Sequence, residues 1–118
     1  EALGKAHIFA FPSIWVETSC IAAIEAMSAK CLTVTNNLGA LPETCANFAS
    51  MYQFTEDGQK HVNRFASILN NTINVMKNNN GWQNQLDVQK NYFDNFYSWD
   101  FRAKEWDLLL KGLSDGSQ

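Results

Sequence analysis

The sequence has no basic cluster. Nine Lys and Arg stand against twelve Asp and Glu, a net charge of −3, and the positive charges are scattered. Nucleic-acid binding is carried mainly by phosphate neutralisation, so this composition excludes DNA and RNA as expected partners. No apolar run approaches the roughly 20 residues that cross a bilayer. The chain also lacks a basic start followed by an apolar stretch and a small-residue cleavage site, the mark of a signal peptide. The three cysteines, Cys20, Cys31 and Cys45, are odd in number and are not spaced as metal ligands. They read as free thiols in a reducing compartment, which places the chain in the cytoplasm. In that compartment the sequon Asn70-Asn71-Thr72 stays unmodified. There is no G-x-S-x-G elbow, so Ser13 and Ser19 are not read as nucleophiles.

What remains is an ordinary core-forming composition. The chain has 118 residues, 46% hydrophobic and 13% aromatic, enough for one domain. It opens on Glu1-Ala2-Leu3-Gly4-Lys5-Ala6, without Met, and runs at once into an apolar strand. That reads as the end of a helix and a turn, and it gives the expectation that a segment precedes the chain.

The periodicity predicts strands at His7–Phe11, closed by Pro12, at Cys31–Thr35, and more weakly at Ala49–Phe54. The apolar character of the first two points to burial on both faces, as in a parallel sheet. A helix is predicted between the first two strands. Thr18-Ser19 stands as its N-cap, Ile21, Ile24 and Met27 lie on one face, and the end falls near Ala29. Asn36 through Glu43 reads as turn and loop. From Gln59 the pattern is helical, with breaks at Asn78–Gly81 and at Ser98-Trp99-Asp100. Helices are expected to about Asn78, from Leu86 to Phe96 and from Phe101 to Leu113, followed by a fraying tail at Ser114–Gln118. His7 is expected as a core histidine and His61 as a solvated one. The fold class is therefore α/β: a Rossmann-like partial parallel sheet of about three strands with C-terminal helices. It divides into a 1–58 strand-helix-strand-strand core and a 59–118 helical part.

The chemistry concentrates around two carboxylates. Glu17 and Glu25 are separated by seven residues, one just ahead of the predicted helix and the other inside it. Counting from Thr18, Glu25 falls roughly 10 Å along the helix axis. A helix amino end leaves N–H groups unpaired and carries partial positive charge. The amides of Ser19, Cys20 and Ile21 are thus candidate donors to a diphosphate. Carboxylates suit directional hydrogen bonds from sugar hydroxyls.

Five features occur in order: Pro12-Ser13 after a strand, Glu17, Glu25-Ala26-Met27, the strand Cys31–Thr35, and the loop Gly39-Ala40-Leu41-Pro42-Glu43. Together they resemble the E-x7-E segment of the family-4 retaining glycosyltransferases, which have the GT-B fold. The likeness covers residues 1 to about 55. It continues loosely through Tyr97-Ser98-Trp99 and Glu105-Trp106. It implies a retaining transferase whose donor is a nucleotide sugar such as a UDP- or GDP-sugar, with no metal or other cofactor. By that likeness Glu17 is the catalytic residue that contacts the donor sugar, and Glu25 holds the ribose. It also implies an acceptor-binding N-terminal domain as partner, with any peripheral membrane contact residing there.

Two departures stand out. Thr18-Ser19-Cys20 replaces the glycines common after the first Glu, and no basic residue precedes His7 except Lys5. The competing readings are another GT-B enzyme, such as a sugar-nucleotide epimerase, and a non-catalytic Rossmann-like interaction module. Trp82, Tyr92, Phe93, Phe96, Tyr97, Trp99, Phe101 and Trp106 are read as core, or as a surface for a missing domain. Left bare, such a surface would support a homodimer.

Overall fold

A computed structural model describes residues 1–116. A 3-10 turn at Leu3–Lys5 leads into β1 (Ile8–Phe11), α1 (Ile21–Ser28), β2 (Leu32–Asn36), α2 (Leu41–Cys45) and β3 (Ser50–Tyr52). Three helices follow: α3 (Gly58–Asn78), α4 (Trp82–Phe96) and α5 (Trp99–Gly116). The strands form one sheet in the order β1-β2-β3, parallel throughout, with Ile8 opposite Leu32 and Val34 opposite Ser50. The fold is the expected α/β one, a Rossmann-like parallel sheet with C-terminal helices.

The order of the sheet decides burial. The central strand β2 has Thr33, Val34, Thr35 and Asn36 all buried. β1 lies on an edge and is only half-buried, with Ala10 exposed, so burial on both faces holds for β2 and not for β1. The small residues of α1 explain how closely it approaches the sheet layer: Ala23, Ala26 and Met27 have no accessible surface. Together with Cys20, Leu41, Cys45 and Phe93, the side chains of Ala23 and Met27 make the core cluster.

Several boundaries differ from the sequence reading. The segment read as loop after Gly39 coils into α2, because Pro42 at the start of a helix sacrifices no needed N–H. α4 begins at Trp82 rather than Leu86. Trp99 and Asp100, read as a break, open α5, with Ser98 Oγ accepting from Phe101 N at 3.1 Å. Of the expected fraying tail, Ser114–Gly116 are helical, while Ser117 and Gln118 lie outside the described residues. The two histidines exchange roles. His7 is exposed just before the edge strand, whereas His61, one turn into α3, is buried against Tyr52 and Phe54. The i, i+4 spacing puts His61 and Phe65 on one side of α3, and that side meets Tyr52 at the end of β3.

Candidate functional site at the carboxyl end of the sheet

The three strands finish side by side at Phe11, Asn36 and Tyr52, and the loops leaving them form the site. In open parallel sheets this edge is where ligands bind. The loop from β1 to α1 is pinned close to the sheet. Ser13 N donates to Phe11 O (2.9 Å), the buried Ser13 hydroxyl bridges to the backbone of Trp15, and Thr35 Oγ1 donates to Phe11 O at 2.7 Å. Asn36 Nδ2 donates to Ser13 O at 2.7 Å.

Glu17 sits half-buried further along that loop. Its carbonyl accepts from Ala40 N at 2.8 Å, which joins the first loop to the one after β2. Gly39 makes this approach possible. It has φ +59°, and a Cβ there would lie 2.7 Å from Glu17 O and 2.9 Å from Glu17 N. The glycine of the Gly39-x-x-Pro42-Glu43 run is thus a seat for the Glu17 backbone. No other residue satisfies both the sign of φ and the space.

The helix start lies one residue later than expected. Cys20, not Thr18 or Ser19, is the N-cap of α1, and no side chain caps it. Cys20 O accepts from Ile24 N at 3.2 Å. Among the described residues, the amides of Ile21, Ala22 and Ala23 meet no protein acceptor. Of the three predicted amide donors, Ile21 lies in this open first turn, Cys20 caps it, and Ser19 stands outside the helix on an exposed loop. The side chain of Cys20 turns into the core, while that of Ile21 is 68% exposed. Glu25 is exposed about 7.5 Å along the axis from the cap, little more than one turn inside α1 and not two.

Two hollows flank this region. Glu25 lines a shallow one of about 390 Å³ between α1 and α4, with Ser28, Asp94 and Tyr97. There the Lys90 ammonium and the Ser28 hydroxyl, both hydrogen-bonded to Asp94, hold its carboxyl below the usual range. The second, about 550 Å³, is walled by Ile14, Val16, Leu38, Phe54, His61 and Val62. Glu17 lies between its wall residues in sequence but lines neither hollow. Trp15 stands free of the core, 76% exposed.

The sequence reading missed Asn36, Tyr52 and His61. Tyr52 Oη lies 2.9 Å from His61 Nε2 and 3.5 Å from Asn36 Nδ2, all three buried. Burial raises the Tyr52 hydroxyl, and the Asn36 hydrogen bond offsets part of that. An asparagine at the end of an otherwise buried strand was the available signal, and it was absorbed into a turn. The buried thiols of Cys31 and Cys45 are poor nucleophiles. Cys45 is pushed up to about 12 by burial and then by Cys20 nearby, and burial raises Cys31. Among the described residues no three His, Cys, Asp or Glu side chains gather as a metal would require, and no helix is long and apolar enough to cross a membrane.

The family model described as "Glycosyl transferases group 1" matches residues 1–85. That span takes in all three strands, both glutamates and the Gly39 seat. No curated protein and no solved structure matches the chain.

Proposed function

The chain belongs to the group 1 glycosyl transferases, and from that premise we propose that it binds a nucleotide-diphosphate sugar at the amino end of α1 and transfers the sugar with retention. The single observation that carries the reading is the open first turn of α1, with Glu17 ahead of it and Glu25 one turn inside it. Unpaired amides at a helix start favour a diphosphate without any basic side chain. This suits a chain that has no lysine or arginine between Lys5 and Lys30.

In this proposal the amides of Cys20 and Ile21 receive the diphosphate, with Ala22 and Ala23 added to the predicted set. Glu17 contacts the donor sugar, Glu25 the ribose hydroxyls, and Ser19 the rim of the same site. As the glycosidic bond breaks, negative charge gathers on the leaving diphosphate. Oriented N–H donors lower the barrier where that charge develops. The donor is a UDP- or GDP-sugar, the acceptor is held by a further domain, and the chemistry proposed uses no cofactor.

Calorimetry of the chain against UDP- and GDP-sugars tests this. Glu25→Ala is expected to weaken binding at least tenfold, about 1.4 kcal/mol. Binding unchanged by that substitution would overturn the assignment of Glu25.

One observation favours a second reading, a module that pairs with a copy of itself. α5 buries none of its side chains, and Trp99 and Trp106 are 87% and 62% exposed.

A further inference from the structure

Asn36 is the last residue of β2, stands opposite Tyr52 in the sheet register, and has no accessible surface. Its amide is divided between the two loops that enclose Glu17. Nδ2 donates to Ser13 O at 2.7 Å, four residues before Glu17, and Oδ1 accepts from Leu38 N at 3.0 Å. Leu38 opens the segment in which Gly39 seats the Glu17 backbone and Ala40 N binds the Glu17 carbonyl. Reversing the amide would set Oδ1 against the Ser13 carbonyl oxygen and NH2 against the Leu38 N–H, so only one orientation is tolerated.

The remaining Nδ2 hydrogen faces Tyr52 Oη at 3.5 Å, and Oη lies 2.9 Å from His61 Nε2. An amide nitrogen can only donate, and a phenol has a single proton. Tyr52 Oη therefore accepts from Asn36, and one proton lies between Oη and His61 Nε2 on the side that the imidazole tautomer sets. A buried chain of hydrogen bonds of this kind favours one geometry.

We propose that Asn36 is a positioning residue for Glu17, held in its working orientation by Tyr52 and His61. It acts by locking the Ser13 and Leu38 ends of the two loops between which the Glu17 backbone is seated. The consequence for sugar binding rests on the donor-site reading above, whereas the positioning itself does not.

The test separates the two. Amide hydrogen exchange of the 118-residue chain is compared with that of Asn36→Ala and of Tyr52→Phe, the milder change that keeps the ring packing. The Ala40 amide, which donates to Glu17 O, is expected to lose at least tenfold protection in the first variant and about threefold in the second. Leu32, bonded to His7 O, and Asn79, bonded to Val75 O, should change less than twofold. Unchanged Ala40 protection overturns the proposal. Equal loss at Leu32 and Asn79 in both variants also overturns it, since that marks a general structural role.

The second arm measures UDP-glucose, GDP-mannose, UDP and GDP by calorimetry. Asn36→Ala should lose at least tenfold affinity for whichever sugar nucleotide binds and less than twofold for the bare nucleotide. In a Glu17→Gln background the tenfold loss should vanish. Equal loss for sugar nucleotide and bare nucleotide argues against action through Glu17 and overturns the proposal. If the unsubstituted chain binds none of the four, the donor-site reading falls, and the exchange arm still decides the role of Asn36.

Discussion

The strand-bearing half, from β1 to β3, and the helical half, from α3 to α5, differ in how much of the core they supply. Nine of the buried hydrophobic residues come from the first half: Cys20, Ala23, Ala26, Met27, Cys31, Val34, Leu41, Cys45 and Tyr52. The helical half contributes Leu86 and Phe93. Its other large apolar side chains include Val62, Val75, Val88, Trp99, Trp106 and Leu108, each more than half exposed.

The difference is one of position. A parallel sheet needs cover; α1 and α3 pack on its strands and α4 packs on α1, so only one stripe of α3 and of α4 is required. α5 touches α4 and extends beyond the layer.

The seam between the halves carries many polar contacts. Gln89 Nε2 donates to Met27 O and Cys31 O, both at 3.0 Å, and so satisfies one carbonyl at the end of α1 and one just before β2. Lys30 pairs with Asp87, Ser28 and Lys90 both bind Asp94, and Tyr97 Oη reaches Thr44 O at 3.0 Å. Phe93 is the apolar centre of the seam, stacked on Tyr97 and edge-on to Phe48. The candidate site sits in the half that supplies most of the core, while α4 is keyed to that half by directional bonds around one ring.

Four measurements break or sharpen this contrast. The largest effect is expected for Phe93→Ala, which empties the seam and should cost about 3–5 kcal/mol in urea unfolding. A loss below about 1 kcal/mol would mean that the halves do not depend on that contact.

Alkaline pH comes next. Burial raises the Cys45 thiol from 9.0 to about 12, so the folded chain holds its proton where the unfolded chain releases it. This contribution is complete below the unfolded value and is lost as pH rises through the folded one. Between pH 8 and 11 the unsubstituted chain should lose on the order of 3 kcal/mol more than Cys45→Ala does. Parallel pH profiles of the two would show that this part of the core is open to solvent.

Gly39→Ala should cost about 2 kcal/mol through its positive φ. It should also shift the amide resonances of Val16 and Glu17, because the added methyl meets that backbone. A neutral effect would remove the seat.

The smallest change is expected for Trp106→Ala, within about 0.5 kcal/mol of unsubstituted stability. Sedimentation equilibrium decides the rest: a tenfold fall in self-association would give α5 a partner in a second copy, and a monomer in both would leave α5 without one.

Much of this was legible in the linear pattern, and the misses share a cause. Short apolar runs closed by Pro12 and by Asn36-Asn37 located the strands, because strand length and turn chemistry are local properties. The order of Pro12-Ser13, Glu17, Glu25 and Gly39 through Glu43 located the candidate site, because each is a fixed number of residues from a strand end. Cap position was misjudged because Thr18 and Ser19 have good capping side chains, yet the chain turns inward at Cys20 to bury a thiol. α2 was hidden because five residues carry too little periodicity. His61 was misread because its burial depends on Tyr52 and Phe54 arriving from another element.

The sequence by itself determined the alternation of strand and helix, the parallel character of the sheet and the two carboxylates on either side of a helix start. Those follow from side-chain periodicity and from chain spacing, which are fixed before any distant contact forms. Tertiary structure alone decided that β1 lies on an edge, that Gly39 seats the backbone of Glu17, and that Asn36, Tyr52 and His61 join into one buried chain. Each of these depends on which segments meet across the sheet. A hydrogen bond such as that of Asn36 to Ser13, 2.7 Å between residues 23 positions apart, is set by the packing of whole elements and leaves no periodic mark in the chain.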